Sequence, residues 1–132
     1  ATFSGIVSSL KKSQSCFGIV VLKGASKIGE NISKKFETEL KIPFSKNWIL
    51  NHDYHFGGYA KYSEELILFM REFYKITGLK TDPIYSGKMF FALVDQLKKN
   101  NSLESKKVIA LHSGGLSGIE GFEKRYKLKI FN

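Results

Sequence analysis

The chain has 132 residues, and its 42% hydrophobic and 14% aromatic content is that of one folded domain rather than a disordered tail. Its formal net charge is +9, but only Arg71 and Arg125 are arginines among the 21 basic residues. Sequence-specific contacts to bases are made most often by the planar guanidinium group of arginine. The low share of arginine among the basic residues therefore argues against a sequence-specific nucleic-acid binder. The lysines are spread over the whole chain, so we expect solvated helix faces and leave open a salt-sensitive, non-specific affinity for polyanions.

Cysteine usage and hydropathy predict the cellular setting. Cys16 is the single cysteine, which excludes an internal disulfide framework. No apolar run reaches the ~18 residues that a membrane helix needs, and the first residues do not resemble a signal peptide. We therefore expect a cytoplasmic protein without membrane contacts.

Hydrophobic periodicity predicts an alternation of helices and short strands. Apolar residues at helical spacing predict helices over residues 2–12, 27–40, 62–77 and 88–100. Short apolar runs predict strands over residues 16–22, 47–50 and 108–111, and a last β-like stretch over residues 126–131. This order predicts an α/β fold of three layers, αβα, around a mainly parallel sheet, with no domain boundary inside the chain.

Three loops with unusual side chains follow the predicted strands or short extended segments, and in a parallel sheet they would meet at the carboxyl edge, where ligands bind. The first loop carries Tyr54, Phe56 and Tyr59 beside two glycines. Tyr54 or Tyr59 could stack on a planar ligand or move a proton. The alternative is a packed surface loop in which the tyrosines only pack against their neighbours and have no role in binding or catalysis.

The second loop leads into a predicted helix, and the third follows a predicted core strand. Gly87 and Lys88 stand at the helix start, where free N–H groups favour an anion, but position 82 holds Asp82 rather than the glycine of a nucleotide P-loop. In the third loop the hydroxyl of Ser113 could bond a heteroaromatic nitrogen. The alternative for the third loop is a tight glycine turn with no ligand.

Metal binding and a hydrolase triad are both poorly supported. His52 and His55 are three residues apart, but the chain has no paired cysteines, so we predict no metal site. Ser113 follows His112 directly, and neighbours on a strand point apart. The chain also lacks a nucleophile elbow around that serine.

Taken together, the three loops resemble those of a known family. The C-terminal half of the 1-aminocyclopropane-1-carboxylate deaminase/D-cysteine desulfhydrase family carries three motifs that are similar, in the same order, to Tyr54-His55-Phe56-Gly57-Gly58-Tyr59-Ala60-Lys61, Asp82-Pro83-Ile84-Tyr85-Ser86-Gly87-Lys88 and Leu111-His112-Ser113-Gly114-Gly115. The resemblance extends from residue 1 to about Phe122. These are pyridoxal-phosphate enzymes with the tryptophan-synthase-β fold. The resemblance therefore implies that residues 1–132 are a single partial domain, the C-terminal part of a domain that binds pyridoxal 5'-phosphate.

The resemblance implies roles for six residues. Tyr85 and Tyr59 match active-site tyrosines of the family and are the implied catalytic residues. Residues 1–5 look like the tail of the family's phosphate loop. The implied cofactor-binding residues are Thr2 for the phosphate, together with Ser113, Gly114 and Ser86.

Two departures from the family pattern bear on the chemistry. The deaminases carry a glutamate directly after the tyrosine that matches Tyr85, and this chain has Ser86 there. A neutral hydroxyl favours β-elimination, such as D-cysteine desulfhydration. The lysine that holds the cofactor covalently and the serine that contacts the substrate lie in the family's N-terminal half, and Lys88 matches a non-catalytic position.

We therefore expect a parent protein that releases ammonia and a keto acid from a small amino acid. The chain itself would lack its N-terminal half as a partner, would not retain the cofactor and would be inactive. A partial sheet exposes an edge and apolar surface, which predicts self-association. The alternative is a basic α/β binding module without catalysis that interacts with polyanions or nucleic acid.

Overall fold

The computed structural model describes residues 2–41, 45–100, 103 and 105–131. In chain order it contains α1 (Thr2–Ser8), β1 (Cys16–Ile19), α2 (Ile28–Lys34), β2 (Trp48–Asn51), α3 (Glu64–Thr77), α4 (Ser86–Lys99) and α5 (Gly118–Tyr126). A π-helical turn, Lys35–Leu40, continues α2. The fold is mixed α/β, as predicted. None of the helices in these ranges is long and apolar enough to cross a membrane.

The two strands form a parallel sheet whose carboxyl end leads into the first of the three loops. The register pairs Cys16 with Trp48 and Ile19 with Asn51. α1 covers one face, because a Cβ added to Gly18 would lie 2.6 Å from the Phe3 ring. The absence of a side chain at Gly18 thus allows α1 to approach the sheet closely.

The main core lies between α3, α5 and the C-terminal segment, which is residues 127–131. The Ser63 hydroxyl caps α3 by accepting a hydrogen bond from the Leu66 N–H at 3.2 Å, and Gly78 ends the helix in the left-handed region at φ 71°. This core is built from five buried residues, Leu66, Ile67, Met70, Phe122 and Ile130. α4 packs along α3, where the rings of Phe73 and Phe90 are 4.8 Å apart. The predicted amphipathic helices at 62–77 and 88–100 are therefore confirmed to within two residues at each end.

The predicted core strand at residues 108–111 is wrong. These residues form no strand, and Val108, Ile109 and Leu111 are 45%, 83% and 51% exposed. An apolar, β-branched run becomes a strand only when a neighbouring strand satisfies its backbone, and the two-stranded sheet of the described residues offers none there. Composition alone misled the prediction.

The predicted β-like stretch at 126–131 is also wrong, since α5 extends to Tyr126 and no strand follows it. Side chains hold the segment instead. The Glu123 carboxylate accepts a hydrogen bond from the Ile130 N–H at 2.7 Å, and the Arg71 guanidinium donates to the carbonyls of Lys129 and Ile130. α5 itself was not predicted, because its two glycines, Gly118 and Gly121, obscure the helical pattern.

Candidate functional site

Three segments meet around the start of α4, and we name them the aromatic loop (residues 53–61), the Asp82 loop (residues 81–87) and the glycine turn (residues 111–115). The aromatic loop follows the carboxyl end of β2, as the sequence predicted. The glycine turn precedes α5, and the Asp82 loop lies between the other two.

The Asp82 carboxylate organises the Asp82 loop. Its Oδ1 accepts hydrogen bonds from the N–H groups of Ile84 (2.9 Å) and Tyr85 (2.7 Å), and its Oδ2 accepts one from the Ser86 N–H at 2.8 Å. Asp82 is only 3% exposed. Because this internal carboxylate already occupies the N–H groups at the start of α4, the expectation that they are free for an outside anion is wrong.

Ser86 is engaged inside the same loop. Its hydroxyl donates to Asp82 Oδ2 at 2.5 Å, and its oxygen accepts from the Asp82 N–H at 2.7 Å. Gly87 packs closely against the Asp82 loop and α3, because an added Cβ would lie 2.8 Å from the Asp82 carbonyl oxygen and 2.9 Å from Met70 Sδ. In this structure Ser86 supports the backbone that carries Tyr85, and its contact with a cofactor stays a prediction.

Lys88 joins the aromatic loop to α4. It is fully buried, and its Nζ donates to the carbonyl oxygens of His55 and Gly58, each at 2.8 Å. Burial lowers the pKa of the Lys88 ammonium to about 8, although the nearby Asp82 carboxylate opposes that shift. The amine therefore faces backbone carbonyls and does not project toward the surface.

The aromatic loop has two further contacts with α4. The Tyr54 hydroxyl donates to Asp95 Oδ2 at 2.6 Å and accepts from Gln96 Nε2 at 2.7 Å. The ring of Phe56 meets the ring of Phe91 edge-on at 5.0 Å. Burial raises the pKa of Tyr54, and its hydrogen bond to Asp95 raises it further. Tyr54 thus fastens the loop to α4.

Tyr59 and Tyr85, the two predicted catalytic residues, are brought together. Their ring centroids are 6.0 Å apart at an interplanar angle of 65°, and the residues are 54% and 53% exposed. Partial burial raises the pKa of the Tyr85 phenol, and a hydrogen bond with Tyr59 raises it further. At neutral pH, Tyr85 therefore keeps its proton and can act as a donor at an open surface.

The glycine turn lies directly against the Asp82 loop. His112 Nε2 is 2.9 Å from the Lys80 carbonyl oxygen, and its Nδ1 accepts from the Gly114 N–H at 3.1 Å. A Cβ added to Gly115, at φ 88°, would lie 3.0 Å from Asp82 Oδ2. His112 therefore holds the glycine turn against the backbone of Lys80. The predicted cofactor residues Ser113 and Gly114 are exposed beside the loop that carries Tyr85.

Thr2 is placed at the start of α1. It is exposed, and α1 packs on the sheet through Phe3, whose ring meets Trp48 at 5.6 Å. No contact within the described residues joins Thr2 to the other five predicted site residues. Its role at the cofactor phosphate remains a prediction, and Ala1 of the same motif lies outside the described residues.

The exposed rings of Tyr59 and Tyr85 and the exposed Ser113 of the glycine turn are compatible in chemistry with one side of a pyridoxal phosphate site. The two phenol rings can meet a planar ring, and Gly114 and Gly115, at φ 100° and 88°, allow close backbone approach. The nearby amine of Lys88 is held by two carbonyls, so it does not fit a covalent anchor for the cofactor. In the described ranges, no three His, Cys, Asp or Glu side chains could share a metal ion.

Sequence reasoning missed the roles of Asp82, Lys88 and Asp95. An aspartate followed by proline, as in Asp82-Pro83, is typical of a helix start and could have indicated the cap. No local signal marks Lys88, because its partners are about thirty residues away along the chain.

The chain is similar to several curated proteins. It is 34% identical over 116 residues to a Pyrococcus furiosus protein with the provisional name 1-aminocyclopropane-1-carboxylate deaminase, covering 83% of this chain and 33% of that protein. A similarly named Pyrococcus abyssi protein is 41% identical over 68 residues, or 52% of this chain and 20% of that protein. An Arabidopsis thaliana protein named bifunctional D-cysteine desulfhydrase/1-aminocyclopropane-1-carboxylate deaminase, mitochondrial, is 32% identical over 76 residues, or 57% and 19%.

No protein-family model matches the chain. The chain spans between a fifth and a third of the length of these curated relatives. The similar proteins carry the same two activity names that the three loop motifs indicated. The chain therefore belongs to the family of 1-aminocyclopropane-1-carboxylate deaminases and D-cysteine desulfhydrases.

Proposed function

We propose that this chain is the C-terminal part of a pyridoxal-phosphate-dependent deaminase or lyase that acts on a small amino acid. Residues 1–132 would form part of a cofactor-binding domain with the three-layer tryptophan-synthase-β-like fold. One observation carries the proposal. Tyr59 and Tyr85 lie in two different loops that carry the family's motifs, yet their exposed rings meet with centroids 6.0 Å apart.

The chain's own residues would bind and orient both cofactor and substrate. Ser113 and Gly114 would approach the cofactor ring, Thr2 would bind its phosphate, and Ser86 would support that wall from inside the Asp82 loop. When bound, pyridoxal phosphate supplies an electron sink for bonds broken beside the amino group of the substrate.

Tyr85 is suited to hold or donate a proton. Its raised pKa keeps the phenol protonated at neutral pH, and its fixed backbone at the start of α4 limits where the hydroxyl can point. Tyr59 would orient the Tyr85 phenol and the substrate between them. The other aromatic side chains of the aromatic loop, Tyr54 and Phe56, pack on α4, which leaves Tyr59 as the exposed ring of that loop.

Within this family we propose β-elimination, as in D-cysteine desulfhydration, over opening of the cyclopropane ring. Ser86 stands where the cyclopropane-carboxylate deaminases have a glutamate, so no carboxylate is supplied at that position. The nearest carboxylate, that of Asp82, is occupied by four hydrogen bonds inside its own loop. The substrate thiol would leave as sulfide, followed by release of ammonia and a keto acid.

The test is an assay of the full-length protein with D-cysteine and with 1-aminocyclopropane-1-carboxylate, measuring sulfide, ammonia and keto acid. We expect turnover of D-cysteine to exceed that of the cyclopropane amino acid. Tyr85→Phe should lower kcat by about 100-fold, since a positioned proton donor contributes about that much. Tyr74→Phe, whose ring packs on Phe131 away from the site, is the matched control and should stay within about twofold of wild type. Equal loss in both variants, or no turnover of either substrate, would contradict the proposal.

We further propose that the 132-residue chain is inactive by itself, because the buried Lys88 amine is held by two carbonyls and does not replace the missing cofactor lysine. The chain should show no turnover and no cofactor absorbance under conditions in which the full-length protein shows both. Activity of the chain alone would overturn this part of the proposal.

A second candidate is a basic binding module, which the net charge of +9 favours. It predicts that the full-length protein binds single-stranded nucleic acid with an affinity that falls steeply as salt rises, and that it does not bind the cofactor. Binding of the cofactor together with weak, salt-insensitive association with nucleic acid would exclude it.

A further inference from the structure

We infer that Lys88 is a positioning residue, whose ammonium holds the aromatic loop in the conformation that places Tyr59 against Tyr85. The inference rests on the proposed function of these two tyrosines. In this inference Lys88 touches neither substrate nor cofactor, and its role is to set the geometry of the site.

The contacts of Lys88 are arranged for this role. Lys88 lies three positions after Tyr85 at the start of α4, so the same backbone carries the anchor and one of the two rings. Its two acceptors, the carbonyls of His55 and Gly58, bracket the turn that immediately precedes Tyr59. The Lys88 ammonium therefore joins the turn that precedes Tyr59 directly to the backbone that carries Tyr85.

The aromatic loop is shaped to present those carbonyls. Gly57 and Gly58 have φ values of 92° and 122°, which turn the backbone sharply. The Gly58 N–H donates to the His55 carbonyl at 3.0 Å, and the Lys61 N–H donates to the Gly58 carbonyl at 3.1 Å. Both acceptors of the ammonium are thus part of consecutive turns, and one charged donor holds both.

Burying a lysine side chain costs free energy, because its ammonium loses its hydration. Burial disfavours the ammonium, which explains the pKa of about 8, and a methionine or leucine would fill similar volume without that cost. Each of the two carbonyls accepts one backbone hydrogen bond, and the Lys88 ammonium adds a second, charge-assisted hydrogen bond to both, which a methionine or leucine could not donate. The Asp82 carboxylate faces the ammonium from the adjoining loop and partly offsets the burial.

A kinetic cycle in the full-length protein tests whether Lys88 acts through Tyr59. We expect Lys88→Met and Tyr59→Phe each to lower kcat at least tenfold, and we expect Tyr59→Phe to change kcat less than twofold in the Lys88→Met background. Ile67→Ala, which opens the core between α3 and α5 and removes none of the Lys88 hydrogen bonds, is the control for general destabilisation. In that control background the effect of Tyr59→Phe should remain at least tenfold. Additive effects of Lys88→Met and Tyr59→Phe would overturn the inference.

A spectroscopic readout tests the same inference without activity. In full-length protein labelled with 3-fluorotyrosine, single Tyr→Phe variants assign the resonances of Tyr59 and Tyr85. Because the rings are in contact, Tyr59→Phe should shift the Tyr85 resonance in the wild-type background, and this shift should be lost in Lys88→Met and kept in Ile67→Ala. A Tyr85 resonance that still responds to Tyr59→Phe in Lys88→Met would refute the role of Lys88. If the ring coupling behaves as expected but neither amino acid is turned over, the proposed function fails while the positioning role of Lys88 stands.

Discussion

The Asp82 loop and the glycine turn lie side by side, yet they are held in different ways. In the Asp82 loop, Asp82 and Ser86 are buried, and one carboxylate satisfies three N–H groups and a hydroxyl within five residues. The glycine turn is exposed, and the apolar run that leads into it, residues 108–111, packs against little. The conformation of the Asp82 loop is determined by its local sequence, because the loop satisfies its own polar groups. The conformation of the glycine turn depends instead on the segments that surround it.

The difference extends to function. The Asp82 loop fixes the backbone of Tyr85, and Lys88 ties the aromatic loop to the same helix, so both predicted catalytic tyrosines are placed by this chain alone. Among the described residues, the contacts that hold Ser113 and Gly114 are those of the neighbouring His112 and Gly115. We therefore expect the positions of Ser113 and Gly114 to depend on the rest of the full-length protein more than the positions of Tyr59 and Tyr85 do.

The largest expected effect is that of Asp82→Ala. It removes the acceptor of four hydrogen bonds in a buried loop, and we expect the free energy of unfolding to fall by about 2–4 kcal/mol. Asp53→Ala is the matched control, because Asp53 is exposed at the start of the aromatic loop and should cost less than about 0.5 kcal/mol. Urea unfolding of both variants measures the difference. Equal costs would mean that the Asp82 loop is no more self-supporting than an ordinary surface loop.

A smaller effect is expected at Glu123, which anchors the C-terminal segment. The hydrogen bond from the Ile130 N–H lowers the pKa of Glu123, and Lys129 lowers it further. A lowered pKa means that the ionised form stabilises the fold above the unfolded pKa, and that this stability is lost as the pH falls through the folded value. Glu123→Gln should cost about 1–2 kcal/mol near pH 7 and progressively less below about pH 4.

Glu120→Gln is the control for Glu123→Gln on the same helix. Glu120 forms an ion pair with Lys124, and its side chain is 75% exposed. Its replacement should change the free energy of unfolding by less than about 0.5 kcal/mol at any pH. A loss at Glu123 that does not shrink in acid would show that the carboxylate charge is not what holds Ile130.

The sequence predicted the elements whose causes are local and failed where the cause is distant. The apolar stripe of α3, its Ser63 cap and its Gly78 stop are all within one segment, and the structure has all three. The run at 108–111 has strand composition, but a strand also needs a partner, which composition does not reveal. The position of the aromatic loop was predictable from the rule that loops gather at the carboxyl edge of a parallel sheet. No described strand precedes the Asp82 loop, and neither its contact with the aromatic loop through Tyr85 nor the Lys88 link follows from that rule.

A third prediction concerns the pH dependence of the Lys88 anchor. The pKa of Lys88 is about 8 in the folded chain, below the ~10.4 of an exposed lysine, so between these values the unfolded state binds more protons and stability rises with pH. The free energy of unfolding of wild type minus that of Lys88→Met should therefore increase by about 1 kcal/mol from about pH 7 to about pH 9. Urea unfolding at both pH values measures it, and other titrating groups cancel in the difference. A flat or falling difference would mean that the ammonium is not buried.

The smallest expected effect is that of Ile109→Thr, which keeps the branch at Cβ and replaces an ethyl group by a hydroxyl. Ile109 is 83% exposed, so in the 132-residue chain the free energy of unfolding should change by less than about 0.5 kcal/mol. Val7→Thr, at a fully buried site of similar chemistry, is the control and should cost at least about 1 kcal/mol because it buries a hydroxyl. The proposed three-layer fold adds a test in the full-length protein, where a strand beside residues 108–111 would cover Ile109 and raise the cost of Ile109→Thr toward that of Val7→Thr. An equally small cost in both proteins would argue that the run at 108–111 remains exposed, and that the glycine turn is positioned only by its contacts with Lys80 and Asp82.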